Sequence, residues 1–186
     1  ESVKVLDLSQ GVAGPYCGLN FAGNRADVIN LDPPGIGCWS RQLGQATGDH
    51  TAHSVVVHRG KRSLAVDLKV PDGLEIAKKL AAECNVIIQN YRVGKLAKFG
   101  LDYRSVAKIN PKVIYVAVTG FGQKGPRRDQ PATDSVMQAY TGMMSINRDI
   151  NGLPQRINML AIDFSTGLYA FQAAAAALYG QVMKGK

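Results

Sequence analysis

One carboxylate in this chain, Asp163, is placed where it could act as a nucleophile. It lies in the stretch Leu160-Ala-Ile-Asp-Phe-Ser-Thr-Gly167, before an alanine-rich segment that predicts a helix over residues 164–183. There it would hold an N-cap-like position, where unpaired backbone N–H groups and the helix dipole favour its ionised form. An ionised carboxylate beside apolar neighbours can attack a carbonyl carbon. An ordinary helix cap is the alternative, and the residues alone leave both interpretations open.

Three further segments offer open backbone or cationic side chains near predicted strands. The glycine-rich turn at Val12 and Ala13 would let a phosphate approach the backbone closely. Arginines and lysines at positions 59, 61, 62 and 69 flank a predicted strand, and such side chains bind phosphate. Asn90-Tyr91-Arg92 follows a buried strand, so an amide, a ring and a guanidinium could meet an adenine and its phosphates. A plain strand-to-helix turn and a solvated basic rim are the alternatives.

The histidines His50, His53 and His58 have a spacing that superficially suggests a metal site. No cysteine or carboxylate pattern beside them matches a known zinc spacing. We therefore interpret them as polar loop residues and expect no metal.

The elements that must position these residues predict an α/β fold. A strand-helix-strand order recurs along the chain, which favours parallel strands joined by right-handed crossovers. The prediction is an open, doubly wound, Rossmann-like and mostly parallel sheet with helices on both faces. Ligands of such sheets gather at the carboxyl ends of strands, here after Leu8, Leu31, Gln89 and Val118. The predicted strands are 3–8, 26–31, 63–67, 85–89 and 112–118, the predicted helices are 15–24, 71–83, 102–109, 131–144 and 164–183, and residues 32–60 are predicted as a long irregular excursion.

The composition is that of an ordinary globular protein, since 46% of the 186 residues are hydrophobic and 19% are charged. The formal net charge of +8 attracts anions, but no zinc finger, RNP-like motif or basic heptad helix accompanies it. We therefore expect no nucleic-acid partner, and no apolar run is long enough to predict a membrane span. Three cysteines without a CxxC pair fit a reducing compartment. Because the chain starts without Met or a signal-like segment, a cytoplasmic protein lacking its first residues is the simplest account.

The order and spacing of several short segments resemble the family III CoA-transferases, the group of formyl-CoA transferase, carnitine CoA-transferase and the related α-methylacyl-CoA racemases. The match is collinear from Val3 to the end of the chain. The segments that carry it include Val5-Leu-Asp-Leu-Ser, Ala13-Gly-Pro, Ala26-Asp-Val-Ile, Arg59-Gly-Lys-Arg-Ser-Leu, Asp67-Leu-Lys, Gln89-Asn-Tyr-Arg, Asn110-Pro-Lys-Val-Ile-Tyr, Gly120-Phe-Gly-Gln-Lys-Gly-Pro and Asp163-Phe-Ser-Thr-Gly.

This resemblance implies roles for the residues at matching positions. Asp163 would be the covalent nucleophile that moves coenzyme A from an acyl-CoA donor to a carboxylic acid acceptor, and Thr133 would lie in the substrate pocket. We also expect backbone N–H groups of residues 165–167 to hold the carboxylate or a developing oxyanion. Acyl-CoA would be a substrate, with no tightly bound cofactor. Contacts with coenzyme A are implied for Val12, Ala13, Val66, Asp67, Leu68, Lys69, Asn90, Tyr91, Arg92 and Lys98.

The chain resembles only the amino-terminal half of the family's subunits. Residues 1–186 would therefore form the amino-terminal part of the large CoA-binding domain, without the small domain and the carboxy-terminal return segment. A homodimer, or a partner that supplies the missing carboxy-terminal half, is implied.

Three positions depart from the family pattern. Thr133 stands where transferases often have Tyr and racemases have His; because Thr does not titrate near neutral pH, it argues against a racemase. Asp134 beside it keeps an acyl-CoA racemase or CoA-lyase open, and a non-catalytic nucleotide- or anion-binding truncated domain is a further alternative. Arg25 replaces a usual Gly and would be strained if left-handed. Pro33 replaces an Arg that contacts coenzyme A in some relatives.

Overall fold

The computed structural model of the protein describes residues 2–185, which fold around a parallel sheet. Two short 3-10 helices lie at Trp39–Gln42 and Leu96–Phe99. In chain order the strands are β1 (Lys4–Asp7), β2 (Asp27–Asp32), β3 (Ala46–Thr47), β4 (His50–Thr51), β5 (Arg62–Ala65), β6 (Val86–Gln89) and β7 (Ile114–Ala117), and the α-helices are α1 (Ala13–Gly23), α2 (Ala52–His58), α3 (Pro71–Glu83), α4 (Tyr103–Ile109), α5 (Asp134–Tyr140), α6 (Met143–Ile146) and α7 (Ala161–Met183).

The main sheet has the strand order β5-β2-β1-β6-β7, and each neighbouring pair in it is parallel. The order runs outward in one direction from β1 to β5 and in the other from β6 to β7. The loops that leave β1 and β6 therefore diverge and open a crevice at this switch point. The predicted doubly wound, parallel α/β sheet is confirmed.

Alternating side chains of the central strands form a core on each face of the sheet. Leu6 and Ile87 pack with α3 and α4 on one face. Val5 and Ile88 pack with α1 and α7 on the other. Because consecutive strand residues point to opposite faces, these apolar runs require helices on both sides, as predicted. In the part of the chain that is described, no helix is long and apolar enough to cross a bilayer.

The predicted irregular excursion contains regular structure that the sequence did not indicate. Helix α2 forms despite its run of β-branched valines, which are poor helix formers. A capping box between Thr51 and Ser54 starts it, and Val57 is fully buried. Tertiary packing and capping therefore outweigh the local helix propensity.

Two further predictions of helices need correction. The helix predicted over 131–144 begins only at Asp134, and Gly142, at φ +82°, separates α5 from α6. Helix α7 begins at Ala161, three residues before the predicted start. Arg25 does adopt the left-handed conformation, with φ +65°, at the turn between α1 and β2. A non-glycine side chain is strained there, as the sequence suggested.

Candidate active site

A cavity of about 590 Å³ lies in the crevice at the switch point of the sheet. It brings together two of the predicted coenzyme-contacting segments, 66–69 and 90–92, which are more than twenty residues apart in the chain. The crevice thus lies where the topology predicted it. Its walls consist of Gln10, Leu31, Pro33, Trp39, Val66, Asp67, Leu68, Lys69, Asn90, Tyr91, Arg92, Lys95, Leu96, Phe99 and Ala132.

Asn90 fixes the floor of this cavity by joining the loops after β1 and β6. Its side-chain Oδ1 accepts a hydrogen bond from the backbone N–H of Gln10 at 2.8 Å, and its Nδ2 donates to the Gln10 carbonyl at 2.6 Å. The Gln10 side chain in turn donates to Asp32 at 3.3 Å. The sequence analysis predicted that the Asn90 amide could contact an adenine, but both of its polar atoms bond to the Gln10 backbone.

Three cationic side chains line the cavity. Lys69, Arg92 and Lys95 are exposed and line it, and the Lys95 ammonium lies 4.8 Å from the centre of the Tyr91 ring. Lys98 is exposed on the following 3-10 helix but is not part of the wall. Clustered cations of this kind can bind phosphate groups.

Two of the cations that flank β5 serve the fold instead of this rim. Lys61 is 1% exposed and donates to Asp7 and to the Pro15 carbonyl, both at 2.7 Å. Arg62 forms a bidentate pair with Asp27 at 2.8 and 2.7 Å. The interpretation of the whole basic segment as a phosphate rim is therefore wrong for these two residues.

The turn at Val12 and Ala13 is buried at the start of α1 and does not line the cavity. Gly11 before it has φ +81°, and a Cβ there would overlap the indole ring of Trp39. On its other side, a Cβ at Gly167 of α7 would lie 2.6 Å from the Ala13 carbonyl oxygen. The predicted turn therefore stands between the cavity and α7.

Sequence reasoning missed Gln10, Trp39 and Lys95 as cavity residues. Trp39, the single tryptophan of the chain, lies in the segment predicted to be irregular, so no periodic pattern indicated its position. Lys95 lies between the predicted contacts Arg92 and Lys98, and this spacing was the available signal.

Asp163 lies in the first turn of α7 and is not its N-cap, which corrects the sequence interpretation. Leu160 occupies the N-cap position and makes no side-chain capping bond. The first backbone N–H groups of the helix already have acceptors: Ala161 donates to Met159 at 2.9 Å and Phe164 to Leu160 at 3.0 Å. The Asp163 carboxylate therefore receives none of the free N–H groups that the sequence assigned to it.

The remaining two N–H groups are capped by Asp134 of α5, which is 4% exposed. Its Oδ2 accepts hydrogen bonds from the backbone of Ile162 at 2.8 Å and of Asp163 at 3.1 Å. Its Oδ1 accepts one from Gln138 at 2.5 Å. Burial, and secondly the charge of Asp134, raise the pKa of Asp163 to about 6. The expectation that the helix terminus would favour ionisation of Asp163 is therefore wrong in its direction.

Residues 165–167 lie inside α7 and do not form an oxyanion-binding turn. The Ser165 hydroxyl donates to the carbonyls of Ala161 and Ile162 at 2.7 and 3.1 Å. Gly167 is buried against α1. Because N–H groups in the body of a helix are bonded within it, the backbone of these residues has no N–H group to offer a reacting group.

Thr133 is the exposed N-cap of α5, and its hydroxyl accepts a hydrogen bond from Val136 N–H at 3.4 Å. It separates Ala132, a wall of the cavity, from Asp134, which holds the backbone of Asp163. Along the chain, Thr133 alone therefore separates the cavity wall from the carboxylate that caps α7.

The three histidines lie in or next to α2, and His50 and His58 make polar contacts. His50 lies 3.1 Å from an Arg41 nitrogen, and His58 lies 3.1 Å from the Ser40 hydroxyl. Burial, and then the charge of Lys61, lower the pKa of His58 to about 4. Within residues 2–185, no group of three or more His, Cys, Asp or Glu side chains is arranged to hold a metal ion.

Comparisons of the sequence and of the fold with known proteins identify relatives of this chain. The sequence model described as CoA-transferase family III matches residues 1–186. Succinyl-CoA:glutarate CoA-transferase of Homo sapiens is 40% identical over 100% of this chain and 43% of that protein, and acetyl-CoA:oxalate CoA-transferase of Acetobacter aceti is 33% identical over 100% and 48%. A crystal structure of a CAIB/BAIF family protein from Brucella suis has a TM-score of 0.94 at 34% identity, covering 100% of this chain and 50% of that one. The chain thus spans about half the length of the curated relatives that it matches.

Proposed function

The chain belongs to CoA-transferase family III, and from this premise we propose that the whole protein moves coenzyme A from an acyl-CoA donor to a carboxylic acid, with Asp163 as covalent nucleophile. One observation carries the proposal. Asp163 lies half-buried at the start of α7, and its backbone donates to Asp134, which follows the cavity-wall residue Ala132 by two positions; the rim of that cavity carries exposed cations. An accessible carboxylate, connected in this way to a cavity with a cationic rim, suits attack on a CoA thioester.

The reaction divides into four acyl transfers that balance. Asp163 attacks the donor thioester and forms an aspartyl-acyl anhydride, with release of the CoA thiolate. The thiolate attacks the aspartyl carbonyl, so that aspartyl-CoA thioester forms and the donor leaves as a carboxylate. The acceptor carboxylate then attacks this thioester and again releases the thiolate. The thiolate finally attacks the acceptor's acyl carbon, which gives the new acyl-CoA and regenerates Asp163.

The state of Asp163 suits this role. With a pKa of about 6, the carboxyl group is mostly ionised at neutral pH, yet it is more basic than an ordinary aspartate. Since nucleophilicity rises with basicity among similar groups, the half-buried setting favours attack. Any backbone N–H group that stabilises an oxyanion must come from outside residues 165–167.

We place coenzyme A in the cavity at the switch point, with its phosphates toward Lys69, Arg92 and Lys95. Residues 1–186 would then be the amino-terminal part of a CoA-binding domain. A cytoplasmic location stays a prediction from the sequence, with which the unpaired cysteines agree.

The rest of the subunit, or a second subunit, would cover the face formed by β7 and α7. A cavity of about 550 Å³ lies between them, and Tyr169, Tyr179 and Val182 of α7 are more than half exposed. Exposed apolar surface of this extent favours association. Light scattering of this chain should show an average mass that rises with concentration, and a constant monomer mass would contradict a missing partner.

The test of the reaction is Asp163→Asn in the whole protein. The amide keeps the shape but cannot form the anhydride, so acyl-CoA exchange should be abolished while coenzyme A still binds. Hydroxylamine should trap an activated carboxyl group on Asp163 after incubation with acyl-CoA, as located by mass spectrometry. Trapping at another residue, or full exchange by the Asn variant, would overturn the assignment.

A further inference from the structure

We propose that Asp134 is a positioning residue for Asp163: it fixes the first turn of α7 and keeps a negative charge beside the Asp163 carboxyl group, which makes Asp163 a stronger nucleophile. The proposal deepens the proposed function and rests on it. Asp134 acts through Asp163 and is not assigned a contact with substrate.

The geometry makes Asp134 an acceptor only. Two backbone N–H groups of α7 and the amide of Gln138 all donate to it, so each of its partners suits an ionised carboxylate. Gln138 is itself fully buried, accepts from Ile157 N–H at 2.8 Å and donates to the Met159 carbonyl at 3.2 Å. Asp134 and Gln138 thus hold both the start of α7 and the loop that leads into it.

This arrangement separates two tasks that one carboxylate would otherwise combine. Helices are usually capped by a side chain at their own N-cap, but α7 has Leu160 there. Because Asp134 supplies the cap from another helix, the Asp163 side chain is not needed for capping. Among residues 2–185, no hydrogen bond engages the Asp163 carboxylate, which leaves its oxygens available to a ligand.

The charges around Asp163 point in the same direction. Asp134 is the charged group that raises its pKa, after burial. Helix α1, which packs along α7, has no charged residue in its sequence, and its titratable groups are Tyr16 and Cys17. In the loop before α7, the Arg156 guanidinium is directed to the Ser135 hydroxyl at 3.3 Å. Neutralising Asp134 should therefore make Asp163 more acidic.

The experiment is a carbon-13 NMR titration of the Asp side-chain carboxyls in this 186-residue chain, assigned with Asp163→Asn and Asp134→Asn. In Asp134→Asn, whose amide can still accept one N–H, the pKa of Asp163 should fall by about one unit, a tenfold loss of proton affinity. Asp134→Glu should restore most of that loss. The control Asp129→Asn removes the same charge at an exposed position and should leave the titration of Asp163 unchanged.

A second measurement needs no variant at Asp134. In the unmodified chain, the Asp134 carboxyl resonance should move at the pH where Asp163 changes its charge, because Asp134 accepts a hydrogen bond from the Asp163 backbone and would sense that charge. An unchanged Asp163 titration in a folded Asp134→Asn chain, or an Asp134 resonance that is indifferent to Asp163, would overturn the proposal.

Activity measurements on the whole protein distinguish a failure of this inference from a failure of the proposed function. The acid limb of its pH-rate profile should move to lower pH in Asp134→Asn, with a reduced plateau rate. If Asp163→Asn retained exchange, the proposed function would fail whatever the titration shows. If Asp163→Asn abolished exchange but Asp134→Asn left the profile unchanged, the positioning role alone would fail.

Discussion

Two buried carboxylate sites, at the end of β1 and at the start of α7, are built in opposite ways. Asp7 is fully buried, and Lys61 donates to it at 2.7 Å while Ser9 donates from both its backbone and its hydroxyl. Asp163 is half-buried, and the charged group that raises its pKa, after burial, is another carboxylate, Asp134. One site neutralises its charge and the other concentrates charge of one sign.

The difference distinguishes a structural carboxylate from a reactive one. The Asp7 oxygens are occupied by donors that are themselves buried, so a ligand could reach them only by breaking the fold. The pKa of Asp163 is raised and its side chain stays accessible, which costs stability but preserves reactivity. The start of α1 contacts both regions: the Pro15 carbonyl accepts from Lys61, and the Tyr16 ring packs against Phe164, the residue after Asp163.

The largest effect that this comparison predicts is on stability at the first site. Lys61→Met leaves the Asp7 charge buried without its cation, so the free energy of unfolding should fall by about 3–5 kcal/mol. Urea unfolding followed by circular dichroism measures it. The double variant Asp7→Leu with Lys61→Met should recover most of the loss, because no unpaired charge remains. A loss below about 1 kcal/mol in the single variant would mean that the pair does not hold α1 to the sheet.

At the second site the effect should be smaller and of opposite sign. Because the pKa of Asp163 is raised from 3.8 to about 6, folding favours its protonated form, and this contribution is lost as pH rises through 6. Asp163→Asn should therefore stabilise the chain at pH 7.5 by about 1–2 kcal/mol, a value reduced for partial exposure. The gain should shrink as pH falls from 6 and vanish well below pH 3.8, where the aspartate is protonated in both the folded and the unfolded chain. A gain that does not change with pH would show that lost charge is not its cause.

The cavity and the two carboxylate sites show what the sequence could and could not predict. The topology argument pointed to the carboxyl ends of the strands that end at Leu31 and Gln89, and the cavity lies there; segment 66–69 was assigned to the same ligand only by the family resemblance. The burial of Lys61 depends on Asp7, 54 positions away, and the capping of α7 depends on Asp134, 28 positions before Ile162. The local sequence around Lys61, or before the alanine-rich run of α7, contains no signal that identifies these distant partners.

The smallest predicted effect concerns coenzyme A binding. Here a lysine, Lys69, should matter for the ligand and not for stability, the opposite of Lys61. Lys69 is exposed on the cavity rim, so Lys69→Ala should leave the unfolding free energy within about 0.5 kcal/mol. It should weaken coenzyme A binding about two- to fivefold, since one solvated phosphate contact contributes about 0.5–1 kcal/mol. Titration calorimetry at low and moderate salt measures this, and the difference should shrink with added salt.

Lys79→Ala removes the same charge from an exposed position on α3 and should bind coenzyme A like the unchanged chain. Equal weakening by both variants would mean that the overall positive charge, and not the rim, attracts coenzyme A, and the contrast between a structural and a ligand-binding lysine would then be lost.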